Sequence, residues 1–182
     1  MRLLTGSARL AGIIGWPVAH SRSPRLHGAW LNRYGIDGAY VPLAVAPSDF
    51  ALVIRALAQA GFAGCNVTIP HKEAAFAICD RVLEPAHRAG AVNTLSFGNG
   101  IEGTNTDGYG FIANLRAHGV NPAAGPALIL GAGGAARAIA AASLNRSPSV
   151  HQLWARASRS VLPFAPEVIY GAMSFSHAVA DR

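Results

Sequence analysis

Ala127-Leu-Ile-Leu-Gly131-Ala-Gly133-Gly134-Ala-Ala136-Arg-Ala-Ile-Ala-Ala-Ala-Ser-Leu144, followed by Val150-His-Gln-Leu-Trp154, decides the fold class. Residues 127–130 are a short apolar run of the kind buried in a parallel sheet, and a glycine-rich turn ends it. The alanines from 135 to 144 favour a helix because alanine loses no side-chain entropy there. Residues 150–154 then predict a second strand. Strand, turn, helix and strand in this order make a parallel α/β unit.

Gly131-Ala-Gly133-Gly134-Ala135-Ala136 fits G-x-G-x-x-[GA] at the strand-to-helix turn. There Gly131 permits the tight turn, Gly133 lets the backbone approach a pyrophosphate, and Ala136 allows close packing, while the helix N-terminus offers free N–H groups to phosphate. Glycines also occur in such turns for packing alone, but the complete strand–turn–helix–strand context favours a Rossmann-like dinucleotide site. After the second strand comes Ala155-Arg156-Ala157-Ser158-Arg159 instead of an acidic residue. Arg156 and Arg159 suit a ribose 2′-phosphate, hence NADP over NAD. Two solvated arginines past a strand end are the competing reading.

Upstream, strands and helices alternate in the same way. Leu10–Gly15, Ala39–Val45 and Gly64–Thr68 read as strands, and Ala91–Phe97 with Gly100–Gly103 as a strand pair turning at residues 98–100. Helices are expected from Ser23-Pro24 to Tyr34, from Pro47-Ser48-Asp49 to Gly61, directly from Pro70, and from Thr106 to His118. Val120–Pro126, with two prolines and a glycine, is the linker candidate. The expected fold class is therefore α/β: a mainly parallel-sheet domain over residues 1–119, then an incomplete Rossmann-like domain over residues 120–182.

Of the 182 residues, 51% are hydrophobic and 13% charged, enough to bury a sizeable core. No apolar run approaches the roughly 20 residues that cross a bilayer, and Met1–Leu10 lacks the features of a secretory signal, so the cytoplasm is the expected location. Cys65 and Cys79 have neither CxxC spacing nor neighbouring histidines, so buried thiols are expected and neither a metal site nor a disulfide framework. The net charge of +6 is spread along the chain without interleaved aromatics, which argues against nucleic acid and for weak attraction of anionic small molecules. Of the 15 basic residues only Lys72 is lysine. Lysine can release a proton where arginine cannot, which singles Lys72 out, although an ordinary surface lysine is the even alternative.

Ligands of open α/β sheets bind at the carboxyl ends of the strands, where this chain gathers small polar side chains. Ser21 and Ser23 follow the first strand, and for Ser23 alone helix capping is the favoured role. Asn66 and Thr68 share a face by the period of two in a strand. Lys72 falls in the first turn of a helix, where the dipole disfavours its charge unless a carboxylate lies near. Asp107, in Thr104-Asn105-Thr106-Asp107-Gly108, is the natural carboxylate, with helix capping weighed equally against it.

Taken together, Gly15-Trp-Pro-Val-Ala-His-Ser21-Arg-Ser23-Pro24, Asn66-Val-Thr68-Ile-Pro-His-Lys72, Gly90-Ala-Val-Asn93-Thr94, Asn105-Thr-Asp107 and the glycine turn resemble shikimate dehydrogenase over roughly residues 10–145. The resemblance implies reversible reduction of 3-dehydroshikimate to shikimate by NADPH, on the route to chorismate and the aromatic amino acids. It implies Ser21, Ser23, Asn66, Thr68 and Asn93 as holders of the ligand's carboxylate and hydroxyls, with Lys72 and Asp107 as the catalytic pair. Quinate or another cyclic hydroxy acid is an alternative substrate, and the sequence leaves a homodimer open.

Two departures bear on catalysis. The family's Asn-Arg-Thr cofactor loop is Ala155-Arg156-Ala157 here, which keeps the arginine and loses two polar contacts. A doubly wound dinucleotide domain takes roughly a hundred residues or more, whereas only 57 follow Gly125 and residues 161–182 match no part of the family. The expectation is a truncated or frame-shifted chain, with a noncatalytic fragment that binds shikimate-like acids as the competing reading.

Overall fold

In the computed structural model, residues 3–125, 127–129, 131–143 and 150–151 are described. The apolar run Leu10–Gly15 lies within strand β1 (Arg9–Gly15), which has parallel neighbours on both sides, β2 (Gly38–Ala44) and β3 (Gly64–Val67). β5 (Thr94–Gly98) pairs antiparallel with β3 and with β6 (Gly100–Thr104), and β4 (Arg81–Val82) lies parallel to β6. The six strands run in the order β2-β1-β3-β5-β6-β4, and β5 alone is reversed.

Strand alternation sorts the side chains of this sheet. Ile14 pairs with Val67 and Cys65 with Leu95, and all four enter one core with Phe50 and Ile54 of α2 (Phe50–Gln59), Ala75 of α3 (Lys72–Ile78) and Ala86 of α4 (Glu84–Ala89). Phe50, Ile14, Ile54 and Leu95 are the largest fully buried apolar side chains, each stabilising the fold by about 1.5–3 kcal/mol through removal from water. Asn66 alternates with Cys65 and Val67 and so belongs to the opposite face, toward α1 (Ser23–Arg33).

The helix expected directly from Pro70 starts instead at Lys72. The His71 N–H donates to the Thr68 carbonyl, so residues 68–71 close as a turn before the helix begins. Strand β5 starts at Thr94 and not at Ala91, because the N–H groups of Val92 and Asn93 donate to the carbonyls of Lys72 and Thr104. Short β4 and α4 fill a stretch that shows no strong sequence pattern. Capping by Ser23 is not found. Ser23 is the first residue of α1, no side chain caps Arg22, and the Ser21 hydroxyl accepts the Ser23 N–H at 3.3 Å.

The chain divides into two compact units at Thr106–Asp107, whereas the linker reading placed a boundary after Gly119. Helix α5 (Asp107–Ala117) groups with α6 (Gly134–Ser143) because small residues let the two backbones meet. A Cβ on Gly108 would lie 2.5 Å from the Ala138 carbonyl oxygen and 2.7 Å from the Ala142 methyl. In this second unit β7 (Ala127–Leu128) runs parallel to β8 (Val150–His151), which gives the strand–turn–helix–strand order of the glycine motif. Leu130, the rest of the second expected strand, Arg156, Arg159 and the tail 161–182 lie outside the described residues. Among the described residues, no helix is long and apolar enough to cross a membrane.

Candidate functional site

In the first unit the polar residues gather where β1, β3 and β6 end and β5 begins. The loops after β1 and β3 are tied together: the Thr68 N–H donates to the Ile14 carbonyl at 2.8 Å and the Trp16 N–H to the Ile69 carbonyl at 3.0 Å. Gly15 is required at this junction, since a Cβ there would come within 2.5 Å of the Thr68 methyl. The peptide bonds before Pro17 and Pro70, one in each loop, are both cis.

Asn93, with only 8% of its surface exposed, is the pivot. Its backbone joins two strand ends: its carbonyl accepts the Val67 N–H at 2.8 Å and its N–H donates to the Thr104 carbonyl at 3.0 Å. Its Oδ1 accepts from the Thr94 hydroxyl at 2.9 Å and the Thr106 N–H at 3.0 Å, while its Nδ2 donates to the Thr106 hydroxyl at 3.0 Å. Asn66 continues the network, its Nδ2 donating to Thr94 Oγ1 at 3.1 Å and more weakly to the Asn93 carbonyl at 3.4 Å. The buried Asn105 donates to the Ala91 carbonyl at 2.8 Å. These side chains are held before any ligand arrives, so binding would cost little ordering.

Lys72 stands at the first position of α3, half-buried, directly after this network's β3 loop. His71 beside it is buried, stacks on Phe50 with ring centroids 4.6 Å apart, and meets the Val45 carbonyl through Nε2 at 2.8 Å. Burial lowers its pKa, the bond to Val45 opposing only in part. Ser21, Ser23, Asn66, Thr68, Lys72 and Asn93 thus all belong to the first unit, whereas Asp107 opens the second unit as the first residue of α5. A residue that the motif reading passed over also belongs to the first: the Tyr40 hydroxyl donates to Asn66 Oδ1 at 2.7 Å. A tyrosine in an apolar strand gives no sequence signal of that role.

A hollow of about 570 Å³ opens at the same ends of β1 and β2, lined by Trp16, Pro17, Val18, Ala19, Pro42 and Ala44. Another of about 460 Å³, lined among others by Ser7, Phe62, Phe97 and Gly100, lies at the opposite strand ends and carries none of the polar network. Chemistry, more than volume, picks the site. Both thiols are packed as structural groups, burial pushing Cys65 up to about 12 and Cys79 to about 11.

In the second unit, Gly131 has φ 145° and its missing Cβ would lie 3.3 Å from the Ala136 methyl, so the turn is tight where the motif requires it. A Cβ on Gly133 would meet nothing within 4 Å, which leaves the backbone open in front of α6. Arg137 Nε braces the turn through the Ala132 carbonyl at 3.2 Å. The first N–H groups of α6, from Gly134, Ala135 and Ala136, have no intrahelical acceptor and fit a diphosphate.

Residues 13–95 match the family model described as the shikimate dehydrogenase substrate binding domain. These residues belong to that family. The NADP(+)-dependent shikimate dehydrogenase of Acidiphilium cryptum is 77% identical over 141 residues, covering 77% of this chain and 51% of that protein. The shikimate 5-dehydrogenase of Thermus thermophilus, solved in complex with shikimate, is 40% identical with a TM-score of 0.74, covering 79% of this chain and 56% of that one. A shikimate dehydrogenase solved with NADP+ aligns with a TM-score of 0.75 at 34% identity, covering 81% of this chain and 52% of that one. The chain spans about half the length of the curated relatives it matches. The matched span carries Asn66, Asn93 and Thr94 of the polar network, and Thr104 and Thr106 follow it in the chain.

Proposed function

We propose that this chain serves the NADPH-dependent, reversible reduction of 3-dehydroshikimate to shikimate, a step toward chorismate and the aromatic amino acids. The observation that carries the reading is the pre-assembled network of Asn66, Asn93, Thr94 and Thr106 beside Lys72, all but Thr106 inside the span that matches this family. A polyhydroxy acid needs many fixed donors and acceptors, and a neutral network supplies them without burying net charge. Residues 1–119 are assigned the substrate role and 120–182 the cofactor role. Cytoplasmic location and a homodimer belong to the same proposal, the latter tested by sedimentation.

In this reading Ser21, Ser23, Asn66, Thr68 and Asn93 hold the ligand's carboxylate and hydroxyls. Reduction of the carbonyl builds negative charge on its oxygen, which the Lys72 ammonium stabilises and then neutralises by giving up a proton. Asp107 orients that ammonium and accepts a hydrogen bond from a ligand hydroxyl. NADP, when bound, supplies or accepts the hydride. Gly131, Gly133, Gly134, Ala135 and Ala136 would hold its phosphates, and Arg156 and Arg159 its 2′-phosphate.

The test is an NADP+ reduction assay with shikimate and with quinate, run beside a shikimate titration of the full chain. Turnover with shikimate supports the enzyme. Binding without turnover supports the second reading, a noncatalytic shikimate-binding chain. Where turnover is measured, Lys72→Met should lower it by about 10²-fold or more and change shikimate affinity little; equal losses in both contradict the assigned role.

A further inference from the structure

We infer that Tyr40 is a positioning residue of the ligand site, fixing which end of the Asn66 carboxamide faces the ligand; this rests on the shikimate-site reading. Tyr40 lies on β2, separated from β3 by β1, yet its hydroxyl reaches Asn66 Oδ1 at 2.7 Å. A carboxamide oxygen has no proton to give, so the phenol must donate, and its only proton is committed. Asn66 therefore turns its NH2 away from Tyr40, toward Thr94 and Asn93.

The ring itself is braced. It stacks on His27 at 4.0 Å between centroids with 3° between planes, and His27 lies four residues after Ser23 on α1, one helical turn along. His27 in turn meets Trp30 edge-on at 5.1 Å. Burial raises the Tyr40 hydroxyl to about 12, an effect that the Ser23 side chain partly opposes and Cys65 adds to, so the proton stays on the phenol through the physiological range.

Tyr40→Phe keeps the ring and its stack and removes only the hydroxyl. In the full chain, shikimate titrated by calorimetry should bind about 5- to 10-fold more weakly to Tyr40→Phe, as for loss of a neutral hydrogen bond. The side-chain NH2 signals of Asn66 in ¹⁵N-labelled protein should shift or broaden, while the backbone amide spectrum of β1 and β3 is retained. Unchanged affinity together with unchanged Asn66 signals overturns the inference. If the unaltered chain binds no shikimate, the functional reading fails, and the Asn66 signals still decide the positioning role: a shift on Tyr40→Phe upholds it, and no shift overturns it.

Discussion

At the scale of single residues, the site depends on side chains that are already hydrogen-bonded before a ligand is present. Asn93 satisfies the Thr94 hydroxyl and the Thr106 N–H from a nearly buried position. Asn93→Ala should destabilise the fold by about 1–3 kcal/mol, because it removes the nearly buried carboxamide oxygen to which those donors bond. Urea denaturation checks this, and a loss below about 0.5 kcal/mol would mean that water replaces the carboxamide at ordinary surface cost. His71 supplies a pH signature. Its pKa is lowered by burial, so its contribution to stability is complete above the ordinary histidine value of about 6.5 and is lost as pH falls through the lower folded value. His71→Gln keeps a donor for the Val45 carbonyl and removes the titration. The pH dependence of unfolding between about 7 and 5 should therefore be steeper in the unaltered protein than in the variant. His27, also lowered by burial, contributes equally to both and drops out of the comparison.

At the scale of elements, the sheet places loops and the loops place chemistry. The alternation of apolar runs with helical stretches makes β1, β2, β3, α1, α2 and α6 legible from sequence within a residue or two at most ends, since each has a full period of pattern and a glycine or proline at its boundary. β4 and α4 are not legible: two and six residues long, they are fixed by the Leu83 N–H bond to the Gly103 carbonyl and by burial of Ala86 and Ala89, which are tertiary events. The polar site residues were legible as motifs. The Tyr40 bond to Asn66 was not, because it joins positions 26 apart whose pairing exists only once β1 lies between their strands. The tie between the β1 and β3 loops gives an element-scale prediction. Gly15→Ala should cost about 1–3 kcal/mol, as overpacking does in a filled interior, and should loosen the loops that carry Ser21 and Thr68. Thermal melting together with shikimate affinity would read both effects, and a variant as stable and as tight-binding as the parent would contradict the close approach.

At the scale of the whole molecule, two compact units carry two different chemistries. The first holds the neutral hydroxyl and amide network, most of it within the span that matches the shikimate dehydrogenase substrate binding domain; the second holds a glycine turn at the head of α6. The net charge of +6 suits both an acidic substrate and a phosphorylated cofactor by long-range attraction, and such attraction should weaken with added salt. Ligand recognition by the first unit is the property on which every other assignment depends. The most direct measurement is a calorimetric titration of the full chain with shikimate, repeated on Ser21→Ala/Asn66→Ala protein shown to be folded by its amide spectrum. Saturable binding at a single site, weakened about 100-fold or more by the double substitution, is the expected result, since two good hydrogen bonds are removed together. Absence of binding by the parent, or equal binding by the substituted protein, would contradict the account.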